Sequence, residues 1–248
     1  MRGISLGCSY QFTKHPMNTL KLLFISALLL LVSACGGGGG GGAGGPVAST
    51  NTFDIQAGWS RLITSGYTKT LTISGSCAGT FVITESAATS GSTFENTAAL
   101  SNNTVTNMTL TNCTPASSID TEVTYYDSNY RPLGYSVGGG DYAVWSGTPA
   151  LPTAAKVGDI TTVGSADRYT NNTKSTSAGR QDATLVMEAD TATTAIANLV
   201  IKYYSAAPYN RLDQTIQRRF KVAADNSLTL ISVDVQFANG DQAHLIMN

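Results

Sequence analysis

The sequence predicts an all-β protein whose antiparallel strands form a meander, folded as a sandwich or a partly closed up-and-down barrel. Three observations predict this fold class. Charged residues are only 12% of the 248 residues, and a composition rich in Thr and Val but poor in Lys and Glu favours strands over helices. Several segments alternate apolar and polar residues with a period of two. No segment of useful length has apolar residues at i, i+3, i+4 and i+7, and the best helix candidate, 214–222, fits a strand equally well.

The first strands are expected between residues 69 and 111. Residues 69–74 alternate polar and apolar side chains, and 75–79 are rich in turn-forming residues. Residues 80–84 then predict the returning strand, and 103–111 predict a further strand that ends close to Cys113. These segments together predict an antiparallel unit at the start of the fold.

The second half of the chain gives a clearer pattern. Residues 121–126 and 133–137 flank a turn at 127–130 and predict a hairpin. The prolines within 147–156 predict an irregular crossing. Asn239-Gly240 is the strongest hairpin signal, because both residues tolerate the positive φ of a type I′ turn. From residue 157 onward we expect a meander with strands at 184–188, 195–203, 216–222, 233–237 and 242–247.

An apolar run near the N-terminus predicts a secretory leader. Leu22 to Val32 is too short to span a bilayer and follows Lys21, as in a signal peptide. The run ends in Val32-Ser33-Ala34-Cys35, which resembles the lipobox of bacterial lipoproteins. The resemblance implies cleavage before Cys35 by signal peptidase II and acylation of its sulfur and its amine. Since Met17 begins a normal leader by itself, we expect translation to start there.

The same resemblance implies where the protein is located. Lipoproteins with Asp after the lipidated Cys are retained in the inner membrane, whereas here the residue is Gly36. We therefore expect a protein anchored in the outer membrane, facing either the periplasm or the cell surface. The glycine-rich run to Gly45 predicts a flexible tether. The expected organisation is a leader at 1–34, a lipidated tether at 35–50, and a β-rich body at 51–248 that is one unit or two sub-units, 51–116 and 117–248.

Charge and cysteine content limit the function classes. Removing the leader takes the formal net charge from −1 to −4, so no nucleic-acid partner is expected. The body retains Cys77 and Cys113, and in an oxidising envelope we expect them to form a disulfide worth about 4 kcal/mol. His244 is the only His outside the leader, so we expect no metal site and no cofactor.

One motif suggests an enzyme. Residues 134–138 match G-x-S-x-G, with Ser136 as nucleophile, His244 as base, and Asp190 or Asp213 as the acid. A nucleophile elbow requires a turn from a strand into a helix, and the glycines at 138–140 oppose a helix. We therefore expect Ser136 at the end of a hairpin strand and a protein that is not an enzyme.

Two pairs of closely spaced oxygen ligands could suggest calcium, but neither completes a ligand loop. Asp127 and Asn129 are explained by turn stabilisation, and Glu188 and Asp190 by an exposed strand end. The charged run 218–221 could attract anions or lipid headgroups, although charges on a strand usually form a solvated face.

Aromatic residues are concentrated in a short segment of the second half. At this density they could bind a ligand or a partner, or they could simply fill the core of a hairpin. If the protein has a binding surface, the sequence places it at Tyr125, Tyr126, Tyr130, Tyr135, Tyr142 and Trp145.

These observations favour a lipid-anchored, non-enzymatic envelope protein that binds an unidentified envelope protein or a small ligand. The alternative is a carrier or sensor of a small apolar molecule or a lipid. A cavity of several hundred Å³ lined by Leu199, Ile201 and Phe220 would favour this alternative. A serine hydrolase is a third hypothesis, and it requires Ser136 beside His244.

Overall fold

The computed structural model describes residues 45–138, 140–208, 210–238 and 243–248. Cys35, most of the glycine tether and the Asn239-Gly240 turn lie outside the described residues. One helix, α1, spans Ile55–Ser65. The strands are β1 Tyr67–Gly75, β2 Ala78–Glu85, β3 Thr89–Phe94, β4 Thr97–Thr111, β5 Ser117–Tyr126, β6 Pro132–Val137, β7 Tyr142–Trp145, β8 Ile160–Tyr169, β9 Ser177–Ala189, β10 Ala195–Tyr204, β11 Leu212–Val222, β12 Leu228–Phe237 and β13 His244–Met247.

The strands form a closed antiparallel barrel of twelve strands with β3 as an extra strand. Consecutive strands pair from β4 to β13, and β13 pairs with β1. The ring closes where β2 pairs with β4, with Ala78 opposite Thr111. The prediction of an all-β antiparallel fold is therefore confirmed, in the form of an up-and-down barrel. Residues 51–116 and 117–248 both contribute strands to this ring.

Alternation along the strands fills the barrel interior. In β10, Ala195, Ala197 and Tyr203 are buried, as their period of two predicts. In β4, alternate residues from Asn102 to Leu110 are buried, so polar side chains also occupy interior positions. The predicted 121–126/133–137 hairpin is confirmed as β5–β6, and residues 214–222 lie in β11 rather than in a helix.

Strand β4 changes its neighbour along its length. Its first half pairs with β3 and its second half with β2. The tip of the β3–β4 hairpin lies against β5, β6 and β7, where the Phe94 ring stacks on Tyr125 with 4.7 Å between centroids. A Cβ at Gly134 would lie 2.3 Å from the Phe94 ring, so glycine is required there.

Helix α1 contradicts the expectation that the chain has no helix. The Asp54 carboxylate caps it by accepting a 2.9 Å hydrogen bond from the Ala57 N–H. Its apolar residues Ile55, Trp59, Leu62 and Ile63 have the i, i+4, i+7, i+8 spacing of an amphipathic helix, so the sequence contained a helix signal that was overlooked. The helix lies at one end of the barrel, where Asp54 N–H donates to Asn226 in the β11–β12 turn and Ala88 N–H, between β2 and β3, donates to the carbonyl of Ile63.

The predicted disulfide is present. Cys77 and Cys113 are bonded with their Cα atoms 6.0 Å apart. Cys77 precedes β2 and Cys113 follows β4, so the bond lies beside the Ala78–Thr111 end of the β2–β4 ladder. It therefore fastens the pair of strands that closes the ring.

Candidate functional site

A cavity of about 110 Å³ lies inside the barrel beneath α1. Trp59 of α1 and Trp145 of β7 line it, and these are the two tryptophans of the chain. Several strands add apolar side chains because their inward positions converge at this end. These apolar side chains include Leu185, Leu199, Ile201 and Phe220.

The lining of the cavity also carries charge. Glu85, Glu122 and Arg218 line it together with Tyr126 and other polar residues. Glu85 accepts a 2.9 Å hydrogen bond from the Asn102 side chain, and Glu122 accepts one of 3.1 Å from Thr124. We call Glu85, Glu122 and Arg218 the charged cluster.

Burial and mutual attraction determine the ionisation of the charged cluster. Burial disfavours the charge on Arg218, but Glu122, Tyr67 and other neighbours raise its pKa above the ordinary value. Burial raises the pKa of Glu85, and Arg218 and Asn102 only partly offset this effect. Arg218 therefore stays protonated, whereas ionisation of Glu85 is disfavoured by its surroundings.

A second polar group adjoins the same cavity. The Arg168 guanidinium donates a 2.6 Å hydrogen bond to Asp141 and lies 4.9 Å from the centroid of the Tyr203 ring. The Tyr135 hydroxyl is 3.2 Å from both Asp141 and Gln181. Burial raises the pKa of Tyr203 to about 12. This group therefore supports the cavity wall with a buried ion pair and protonated phenols.

Two buried polar atoms near the cavity have no protein partner. Among the described residues, the Trp59 indole N–H and one carboxylate oxygen of Asp141 make no hydrogen bond. An unpaired buried donor costs about 1–3 kcal/mol. Because Trp59 lines the cavity, a bound molecule with an acceptor oxygen could satisfy its N–H.

The structure divides the predicted aromatic surface into two groups. Tyr126, Tyr135 and Trp145 line the cavity. Tyr142 packs with Phe94 beneath the β3–β4 hairpin, and Tyr125 joins that cluster. The remaining residue, Tyr130, lies in the β5–β6 turn. Their role as a binding surface stays a prediction, and it applies best to the three that line the cavity.

The residues of the hydrolase hypothesis are not brought together. Ser136 lies within β6, and His244 lies in β13, with β1, β2, β4 and β5 between them around the shorter side of the ring. The His244 imidazole is 2.9 Å from Asp234. Of the two acids considered, Asp190 pairs with Lys221 and Asp213 with Arg211. This geometry lacks the contacts of a catalytic triad.

The candidate calcium ligands have other roles. Asp127 accepts hydrogen bonds from the backbone N–H groups of Asn129 and Arg131, which is the turn stabilisation that the sequence suggests. Glu188 pairs with Arg219 at 3.2 Å. Within the described residues, no group of three or more His, Cys, Asp or Glu side chains could hold a metal ion.

The position of Arg218 contradicts the interpretation of residues 218–221 as a solvated face. It lines the cavity, whereas Arg219 and Lys221 form ion pairs on the other face of the sheet. The sequence contained the signal, since Arg218 shares the parity of the core residues Ile216 and Phe220. Glu85 likewise continues the inward series of Phe81 and Ile83. A charged residue at an inward position of a strand, among apolar inward neighbours, therefore indicates this site.

Comparison of the chain with protein-family models, curated proteins and solved structures found no match. In the part of the chain that the structure describes, no helix combines the length and hydropathy needed to cross a membrane. The proposals for function therefore depend on the leader sequence and on the geometry of the barrel.

Proposed function

We propose that this chain is an outer-membrane lipoprotein, anchored through Cys35, that binds a small ligand inside its barrel without performing covalent chemistry. The observation that carries the proposal is the amphipathic cavity beneath α1. Its lining combines apolar side chains and two tryptophans with the charged cluster, and the Trp59 N–H lacks a partner there. Binding sites for small molecules combine apolar surface with a few polar groups in this way.

The size of the cavity limits the ligand. At about 110 Å³ it is somewhat smaller than the ~150 Å³ engineered cavity that accommodates benzene. It is lined by Leu199, Ile201 and Phe220, as the carrier hypothesis required, but it does not reach several hundred Å³. The volume supports a ligand smaller than benzene, such as a short chain, and it disfavours a lipid.

The charges limit the polar part of the ligand. Arg218 is already faced by Glu122 and Glu85, so a charged ligand would find no unmatched counter-charge in this cavity. A neutral hydroxyl could accept from the Trp59 N–H or donate to a carboxylate of the charged cluster, and a carbonyl could accept from the Trp59 N–H. The arrangement therefore favours a neutral, amphipathic molecule.

Tryptophan fluorescence tests this proposal directly, because Trp59 and Trp145 both line the cavity. Propan-1-ol, a non-absorbing probe smaller than benzene, should shift the emission saturably, whereas propionate should bind more weakly. Ala197→Leu fills the cavity and should abolish the shift. Ala195→Leu makes the same change two residues earlier on the same face, outside the cavity lining, and should retain it. Equal responses of the two variants would refute a ligand site in this cavity.

The anchor is tested separately. Cys35→Ser should abolish labelling of the protein by a fatty-acid analogue and leave an unprocessed precursor. Continued labelling of this variant would refute the lipoprotein assignment and would leave the ligand proposal untouched.

A further inference from the structure

An open groove on the surface of the protein adjoins the cavity beneath α1. It lies between α1, the β5–β6 turn and the crossing at 147–156, and its volume is about 570 Å³. Trp59 of α1 lines the cavity, whereas the next residue, Ser60, lines the groove. Leu151 lines both spaces, and among the described residues it is the only one that does so. The groove and the cavity therefore meet at the Leu151 side chain.

The backbone on both sides of Leu151 is fixed by hydrogen bonds. The N–H of Ala150 donates to the carbonyl of Val163 in β8 at 2.9 Å. The carbonyl of Pro152 accepts from the N–H of Ile55, at the start of α1, at 3.0 Å. The partly buried leucine side chain has several rotamers, so it can widen the junction while the backbone stays in place.

The groove is lined by uncharged polar side chains that have free hydrogen-bonding capacity. In the part of the chain that the structure describes, the side chains of Ser128, Asn129 and Thr148 make no hydrogen bond. Arg131 is the only charged residue of the lining, and its guanidinium pairs with Asp127 at 2.7 Å. Neutral donors and acceptors of this kind match the hydroxyl groups of an uncharged sugar or polyol.

Tyr130 adds an aromatic side chain to the lining of the groove. It lies in the β5–β6 turn with φ of +59°, which is unusual for a bulky residue. The Asp127 carboxylate holds this turn by accepting from the N–H groups of Asn129 and Arg131. The Gln56 side chain connects the turn to α1 by donating to the Asn129 carbonyl at 2.9 Å. The ring is therefore held in a fixed turn, and it offers apolar surface to the C–H face of a sugar.

The sizes of the two spaces indicate a ligand that occupies both. The cavity, at about 110 Å³, is smaller than an ordinary ligand pocket of about 300–1,000 Å³. The groove brings the site into that range, and it supplies the neutral polar groups that most of the cavity lining lacks.

We propose that the groove binds the hydroxylated head of a neutral amphipathic ligand, whose short apolar chain passes Leu151 into the cavity. The inference rests on the proposed function and names the ligand class of the same site, a short-chain alkyl glycoside or polyol ether. The head exchanges hydrogen bonds with Ser128, Asn129 and Thr148 and packs on Tyr130, while the end of the chain lies beside Trp59.

Hexyl β-D-glucopyranoside tests the proposal on the full-length protein in buffer without detergent. Its binding is followed by tryptophan emission, because both tryptophans line the cavity. It should bind about tenfold more tightly than hexan-1-ol, since the sugar adds hydrogen bonds in the groove. Methyl β-D-glucopyranoside has no chain to enter the cavity and should leave the emission unchanged.

Two pairs of variants locate the head and the chain of the glucoside. Tyr130→Gly removes the ring and suits the positive φ, so it should fold and lose the tenfold preference for the glucoside. Asn112→Gly changes another turn residue, with φ of +61°, outside the groove and should retain the preference. Ala197→Leu fills the cavity and should abolish the emission shift by the hexyl glucoside, whereas Ala195→Leu should retain it.

The outcomes separate this proposal from the proposed function. Equal affinities for hexyl glucoside and hexan-1-ol, with saturable binding of propan-1-ol, would overturn the groove as a head site and leave the cavity site standing. An unchanged preference in Tyr130→Gly, or unchanged glucoside binding by Ala197→Leu, would also overturn it. Failure of propan-1-ol and of both hexyl compounds to bind would overturn both proposals.

Discussion

Removal of the Cys77–Cys113 disulfide should destabilise the barrel by about 4 kcal/mol. The bond spans a sequence separation of 36, and the loss of loop-closure entropy in the unfolded chain gives this value. We expect the full loss of stability because the bond lies beside the β2–β4 ladder that closes the ring. For a body of this size the change corresponds to a drop in Tm of about 10 °C.

The measurement compares urea unfolding of a Cys8→Ala/Cys35→Ala protein with that of the same protein carrying Cys77→Ala/Cys113→Ala. Alanine is suitable because Cys77 is buried and a hydroxyl there would add its own cost. The reductant dithiothreitol should lower the stability of the parent protein to that of the variant and leave the variant unchanged. A loss below about 1 kcal/mol, or a variant that still responds to the reductant, would refute the reasoning.

Three further predictions concern other parts of the barrel. Glu85→Gln should stabilise the protein increasingly as the pH rises above 4.5, because the raised folded pKa makes ionisation of Glu85 unfavourable there. Chemical unfolding at pH 4 and pH 7 checks the sign, and a larger gain at pH 4 would contradict it. Gly134→Ala should lower the free energy of unfolding by about 1–3 kcal/mol, because its methyl group clashes with the Phe94 ring and the Ala143 carbonyl. An unchanged Tm would contradict this packing. Asp54→Ala should cost about 1 kcal/mol by removing the α1 cap, whereas Asp54→Asn should retain most of the stability in urea titrations.

Local alternation predicted many of the strands, although β3, β7 and β8 were not predicted individually. The series from Ala195 to Tyr203 specifies β10 because each inward side chain meets the same core. Residues 121–126 and 133–137 specify β5–β6 because a turn lies between them. The register in which these strands pair follows from which side chains are buried. The alternation of apolar and polar residues in the sequence already indicates which side chains those are.

The helix and the closure of the ring were harder to predict. The apolar residues of helix α1 have helical spacing, but the helix is only 11 residues long and contains Gly58, Ser60 and Thr64. Its intrinsic propensity is therefore low, and its stability comes from contacts with distant turns. The pairing of β2 with β4 has no local signal, because β3 intervenes in the sequence. Strand number and ring closure depend on such long-range contacts.

The charged part of the candidate site was missed for a different reason. Arg218 was grouped with Arg219 and Lys221 as a charged run, although the period of two places it with Ile216 and Phe220. Neighbouring charges in a strand lie on opposite faces. The alternation of side chains along a strand therefore shows which charged residues point into this barrel. It does not show which residues interact with Arg218, since Glu85 and Glu122 come from distant strands.

The ladder between β1 and β13 makes the completion of the barrel wait for β13, the last of the described strands to be synthesised. Strand β13 is synthesised after every other described strand, and it joins β1 through three residue pairs. Until then the chain can only form an open sheet whose two outermost strands lack partners. A nonsense mutation that removes residues 244–248 would leave nearly all of the core sequence intact, yet it should produce aggregates by edge-to-edge pairing.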